Sequence, residues 1–342
     1  MDIVDIFLGK KYSKGNGEIF ETRIEELETQ VEELETQVEE LIPVQADFCA
    51  FIDGTISEIN NNGVTSVRNY VFSSCSFLTS VNLPMCTSVG YGAFASCRKL
   101  TTVDLPTCEN IGSTAFAYCA SLLTANLPAC RTIGAGAFSQ CVKLTEVTLS
   151  MCTTIGSSAF KSCSSITEIR LPTCTTIEPS AFAFCRGLTK LELPACTTIS
   201  SEAFTYCSGF TKLELPACTT ISSNAFGGCT NLVSVNLPVC KTIGSKAFYG
   251  CYSLAFISMP NVTQIMSSAF YSCNSLVSMY LMGASVPTLV TTNAFYNTPL
   301  STSSFIGTFG SIYVTPSLVE SFKSADNWSA YANRIVAYTE NE

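Results

Sequence analysis

From residue 72 onward the apolar positions recur with a period of 22. Phe72, Phe94, Phe116, Phe138, Phe160, Phe182, Phe204, Phe226, Phe248 and Phe270 mark the period, and each follows an alanine except Phe72, which follows Val71. Counted from each Phe, position +6 is Leu, Ile or Phe. Apolar residues stand at +9 (Val81, Val103, Val147, Leu191) and +11 (Leu83, Leu105, Leu149, Leu193), proline at +12 in most units, and Val or Ile at +17 (Val89, Ile111, Ile133). The run L-x-x-V-x-L alternates apolar and polar residues, which predicts a short strand with +9 and +11 inward and +8 and +10 outward. Proline then ends the strand, because it has no amide to give to a ladder. Polar Thr, Gly and Ser carry the chain around the turn, and S-x-A-F-x-x-C predicts a short helical or 3-10 return. A single coil cannot bury its own apolar face, whereas about ten stacked coils make a continuous core. The predicted fold is therefore an α/β repeat solenoid of 22-residue coils with short parallel strands. With strands about 4.8 Å apart, it is on the order of 50 Å long.

The consensus A-F-x-x-C-x-x-L-x-x-V-x-L-P-x-x-x-x-I resembles the BspA-like, or Treponema pallidum-type, leucine-rich repeats over roughly residues 50–296. Residues 48–71 resemble that family's degenerate capping coil: Ile56, Ile59 and Val67 keep the +6, +9 and +17 registers, while Asn61 replaces the +11 Leu. After Phe270 the next Ala-Phe, at 294–295, arrives 25 residues on. The solenoid is accordingly placed at 72–296, and a C-terminal cap of strand plus helix at 297–342. The resemblance implies bacterial surface or host-interaction proteins, including adhesins that attach to matrix proteins or other cells. Within the repeat, residues 189–201 and 211–223 spell the same thirteen letters, TKLELPACTTISS, as a recent internal duplication would leave them.

The period is absent from the first 45 residues. After an N-terminal segment at 1–17, residues 18–42 form an acidic heptad stretch in which Ile24, Leu27, Val31, Leu34, Val38 and Leu41 fall at spacings of 3, 4, 3, 4 and 3. Such an a/d seam predicts a short coiled-coil helix and a homo-oligomer, dimer or trimer, through residues 24–41. The alternative is a solvated spacer helix. Ten of the chain's 27 acidic residues lie at 18–40, against one of its 18 basic residues, Arg23. The net charge of −9 therefore belongs to this stretch, and the remainder is neutral. A neutral body with no basic stripe argues against a nucleic-acid partner.

The chain has no histidine, which removes Ser-His-Asp and Cys-His catalysis. No paired acids, nucleotide loop or metal-ligand spacing breaks the repeat, so the expectation is no enzyme, no cofactor and no metal. Seventeen of the 19 cysteines run from Cys75 to Cys251 at intervals of eleven, forming two ladders at +3 and +14; Cys273 continues one, and Cys49 lies outside. Cysteine serves as a small buried apolar residue, so free buried thiols are expected, with disulfides or metal as the alternatives.

The outward positions carry the candidate binding residues. Charge concentrates in the middle coils at Glu146, Glu168, Arg170, Lys190, Glu192, Lys212 and Glu214. It reads either as a solvated face pairing with itself or as a recognition patch. Phe256 and Tyr280 face outward on adjacent coils, as a binding anchor or as residues packed under the cap. Tyr118, Phe184, Tyr206, Tyr249 and Tyr271 are assigned to the return side. The expected function is a non-catalytic adhesion or recognition module presenting a rigid surface to a protein or glycan on a cell surface or host. The alternative is a phage or prophage tail-associated receptor-binding protein, and less favoured still are an intracellular scaffold or an enzyme. No apolar run spans a membrane and no secretory signal is seen, which leaves a cytoplasmic, virion-associated or non-classically exported protein.

Overall fold

The computed structural model describes residues 57–301 and 307–339. The segment 1–17, the heptad stretch with its oligomerisation residues, and the start of the capping coil with Cys49 lie outside the described residues. The body, residues 46–342, is one compact unit. It is a parallel β-solenoid in which each residue of a strand sits beside the residue 22 positions on: Ser80 beside Thr102, Val81 beside Val103, Asn82 beside Asp104.

Each coil contributes two strands. The first, at +8 to +10 (Ser80–Asn82, Thr102–Asp104 and onward), is the one the alternating pattern predicts. The second spans only +16 and +17, as at Ser88–Val89 and Thr154–Ile155, and builds an unbroken sheet of eleven strands. Two residues are too few to show alternation, so the sequence marks this sheet only by the inward Val or Ile at +17.

The return segment departs from expectation. It is neither α-helical nor a 3-10 helix but a chain of tight turns. Left-handed residues stand two positions before the Phe (Thr114, Ser158, Ser180, Glu202) and two after it (Ser96, Tyr118, Ser162, Tyr206), with φ near 60°. A helix cannot run through such residues. Their amides instead join coil to coil: Thr114 N–H donates to Ala135 C=O and Ser162 N–H to Ala183 C=O, both at 2.8 Å. Among the described residues helix is confined to the C-terminal end, at Val319–Ser324 and three 3-10 segments.

The core is a set of columns, one residue per coil. The Phe rings from Phe72 to Phe295 stack nearly parallel, with centroids 5.1 Å apart at Phe94–Phe116 and 5.6 Å apart at Phe270–Phe295. The two cysteine columns flank them and are buried. In the +3 column each thiol donates to the Phe carbonyl of the previous coil, as Cys119 does to Phe94 at 3.2 Å and Cys163 to Phe138 at 3.1 Å. In the +14 column it donates two residues ahead, as Cys174 does to Thr176 C=O at 3.2 Å. Seventeen of the cysteines are free, while Cys75 is in a disulfide. Burial pushes the Cys97, Cys185 and Cys196 thiols up to about 12, so they stay protonated and poorly nucleophilic at pH 8. The native protein should therefore react sparingly with a thiol reagent at pH 8. After unfolding without reductant the seventeen should titrate, and a count near one would show the ladders to be oxidised.

Beyond the last coil, strands Ser311–Val314 and Ile335–Ala337 continue the first sheet in parallel. Trp328 closes the end of the Phe column: its ring lies 5.9 Å from Phe295 and its Nε1–H donates to Pro287 C=O at 2.7 Å.

Candidate binding surface

The outer face of the first sheet collects every outward candidate residue, because in-register pairing turns each +8 and +10 position into a column. In the middle coils, Lys190 Nζ lies 2.7 Å from Glu168 and 2.6 Å from Glu192, and Arg170 Nε lies 2.7 Å from Glu168 and 3.7 Å from Glu192. These four close a ring, and Lys212 pairs with Glu214 on its own strand. Lys190 and then Arg170 hold the Glu168 carboxyl below its ordinary range. The cations are exposed and the Glu168 and Glu192 side chains partly so, so solvent screens these pairs and they add little to stability. Glu146 has no ion-pair partner among the described residues.

Towards the C-terminal end the charges give way to aromatics. The Phe256 ring lies 5.0 Å from that of Tyr280, which stacks on Tyr313 at 4.7 Å and meets Tyr338 edge-on at 5.9 Å. Phe256 is 37% exposed, and Val233 and Val277 in the adjoining +7 column are 45% and 41% exposed. Burial pushes the Tyr280 phenol up, and Tyr313 adds to the effect. The cap strands extend this face rather than roof it over. Tyr313 and Tyr338 escape a search by period, since the register breaks after Phe270. The likeness of Ser311-Ile-Tyr-Val314 to Ser278-Met-Tyr-Leu281 is the signal that places Tyr313 beside Tyr280.

The first sheet is also interrupted twice, which the repeat does not predict. Strand Glu146–Thr148 does not pair with Glu168–Arg170, nor Lys190–Glu192 with Lys212–Glu214. At most coil junctions the +7 amide donates to the +7 carbonyl of the previous coil, as Thr145 does to Leu123 and Thr189 to Thr167, both at 2.9 Å. Among the described residues Thr167 and Thr211 make no such bond. These two coils are also those whose +6 residue is not leucine but Ile166 and Phe210. Phe210 lies edge-on to Phe204 at 6.0 Å, where its ring needs more room than a leucine. A groove of about 970 Å³ runs along the outer face here, from residues 145–150 past 167–172 to Glu214 and Pro216.

On the return side Tyr118, Tyr206 and Tyr249 are exposed. Rings stack there between coils, as at Phe184–Tyr206, 5.1 Å, and Tyr249–Tyr271, 5.3 Å. Among the described residues no helix is long and apolar enough to cross a membrane.

No curated protein sequence matches the chain. Similar solved structures include a leucine-rich cell surface protein of Faecalibacterium prausnitzii (23% identity, 83% of this chain and 88% of that one, TM-score 0.42). The pneumococcal vaccine antigen PcpA is similar at 16% identity over 83% of this chain and 79% of that one, with a TM-score of 0.42. A leucine-rich repeat protein of T. pallidum matches at 26% identity over 58% and 75%, with a TM-score of 0.31. The profile of the BspA type leucine-rich repeat region, in six copies, matches residues 47–164, 87–211 and 197–315. With most of its length so matched, and with its period, Phe column and parallel strands in place, this chain belongs to the BspA-type leucine-rich repeat family.

Proposed function

We propose that the chain is a non-catalytic recognition module that engages a protein on a cell surface through the C-terminal third of its first sheet. The observation that carries this reading is the run Phe256, Tyr280 and Tyr313 on an outward face, bordered by exposed Val233 and Val277. Aromatics set in an apolar patch are the side chains that anchor protein interfaces. Membership in the BspA-type leucine-rich repeat family supports a binding role.

Labelled full-length protein should stain intact cells, and Phe256→Ser combined with Tyr280→Ser should abolish the staining. The double variant removes three ring contacts, each worth about 0.5–1.5 kcal/mol, and should still fold because neither ring belongs to the buried Phe column. Normal staining by the double variant would sink the aromatic face. Staining confined to a narrow set of bacteria would point to a phage or intercellular role, and staining of epithelial cells or matrix to a host adhesin. Loss of staining on glycosidase treatment would replace the protein partner with a glycan.

Residues 24–41 are the proposed oligomerising stem, which raises weak single-site binding through effective concentration. Deleting residues 1–43 should lower the mass measured by light scattering, and an unchanged mass would remove the stem from the proposal.

A further inference from the structure

We infer that the first interruption of the sheet is a second binding site, a groove for an extended protein segment bearing an arginine or lysine. It lies on different coils from the aromatic run, and rests only on the reading of the chain as a binding module.

The opening leaves three needs unmet at one place. First, apolar surface is uncovered. The +9 side chains of Val81, Val103, Ile169, Leu213 and Val235 are at most 2% exposed, whereas Val147 and Leu191, each bordering an interruption, are only half-buried. Val147 lines the groove together with half-buried Leu191 and exposed Pro172. Second, backbone groups have lost their ladder partners: among the described residues no backbone amide donates to Thr145 C=O, and Thr167 N–H donates to no backbone carbonyl. Third, charge is uncompensated. The groove lining holds Glu146, Glu168, Glu192 and Glu214 against Arg170 alone. Glu168, Glu192 and Glu214 have a cation within reach, and Glu146 has none among the described residues.

An extended segment meets all three. A guanidinium or ammonium at one position donates to the Glu146 carboxylate and to Thr145 C=O, the charge-assisted hydrogen bond being the strong one. Apolar side chains at alternate positions of the same segment reach Val147 and Pro172, as in strand-like peptide recognition. A neutral or acidic segment would leave Glu146 unmatched. The gap itself is attributed to Ile166, whose β-branch replaces the +6 leucine of the neighbouring coils.

The test titrates full-length protein with the labelled peptide acetyl-Thr-Val-Arg-Val-Thr-amide and with its counterpart carrying Glu in place of Arg. The Arg peptide should bind, and should weaken with added salt as an exposed ion pair does; the Glu peptide should not bind. Glu146→Lys, at an exposed position that leaves the fold intact, should weaken the Arg peptide about tenfold or more. Ile166→Leu should restore the ladder, seen as hydrogen-exchange protection of the Thr167 amide, with a comparable loss of binding. Phe256→Ser with Tyr280→Ser should leave peptide binding unchanged, which separates failure of this site from failure of the aromatic face. Binding of both peptides alike, indifference to Glu146→Lys, or absence of binding would overturn the proposal.

Discussion

Phe160→Ala should lower the thermal midpoint by roughly 10 °C. Phe160 is fully buried and stacked on both sides, 5.2 Å from Phe138 and 5.2 Å from Phe182. Removing a buried ring costs about 3–5 kcal/mol through lost transfer energy and the cavity left behind, and in a domain of this size each kcal/mol moves the midpoint by a few degrees. The column makes collapse difficult. Neighbouring coils are held at their spacing by in-register hydrogen bonds of the second sheet, so they cannot close over the void. Phe160→Leu should cost much less, because it keeps most of the volume. A midpoint within 3 °C of the parent for Phe160→Ala, measured by calorimetry, would show that the column is not where the stability resides.

The second large effect distinguishes a turn from a helix. Ser162 has φ near 63° and donates its amide to Ala183 C=O at 2.8 Å. Ser162→Pro forbids that φ and removes the donor, so it should cost about 3 kcal/mol or more. Ser162→Gly should be neutral or slightly stabilising, because glycine takes the left-handed region without steric penalty while giving up some order in the unfolded chain. Gly228 and Gly250, with φ of 71° and 68°, already occupy the equivalent place in two other coils. In a helical return the sign for glycine would reverse, with a loss of up to about 1 kcal/mol. Denaturant midpoints of the two variants decide between the geometries.

What the sequence disclosed and what it hid follow from the length scale of each signal. A residue that recurs ten times at one spacing reports a column, and the Phe, Cys, +9 and +11 columns were legible on that ground. The return was misjudged because Ala-Phe flanked by small polar residues is compatible with a helix. What decides the matter is the bonding of alternate amides to the next coil, which no local pattern records. The thirteen-letter duplication gives the sharpest case. Leu191 and Leu213 stand in identical sequence, yet Leu191 is half-buried and Leu213 is 1% exposed. The difference lies outside the duplicated letters, at +6, where Leu188 precedes one strand and Phe210 the other. A period search averages away such single departures, although they set where the sheet opens. The charged columns were readable, and so was their pairing with one another, because signs alternate between Glu168, Arg170, Lys190 and Glu192; the closure of these four into one ring was not.

The second sheet runs unbroken through eleven strands while the first is parted at two junctions, and no ion pair among the described residues crosses either parting. Mechanically this is a spine with hinges on one side only. Three stiff blocks, ending at Thr148, spanning 168–192 and beginning at Lys212, share a continuous backing. A load that spreads the first-sheet side separates strands that were never bonded, whereas a load in the opposite sense must compress packed coils. The body is therefore compliant in one plane and in one direction, so that a partner pulling on the aromatic end would flex it toward wider grooves before any coil unravels.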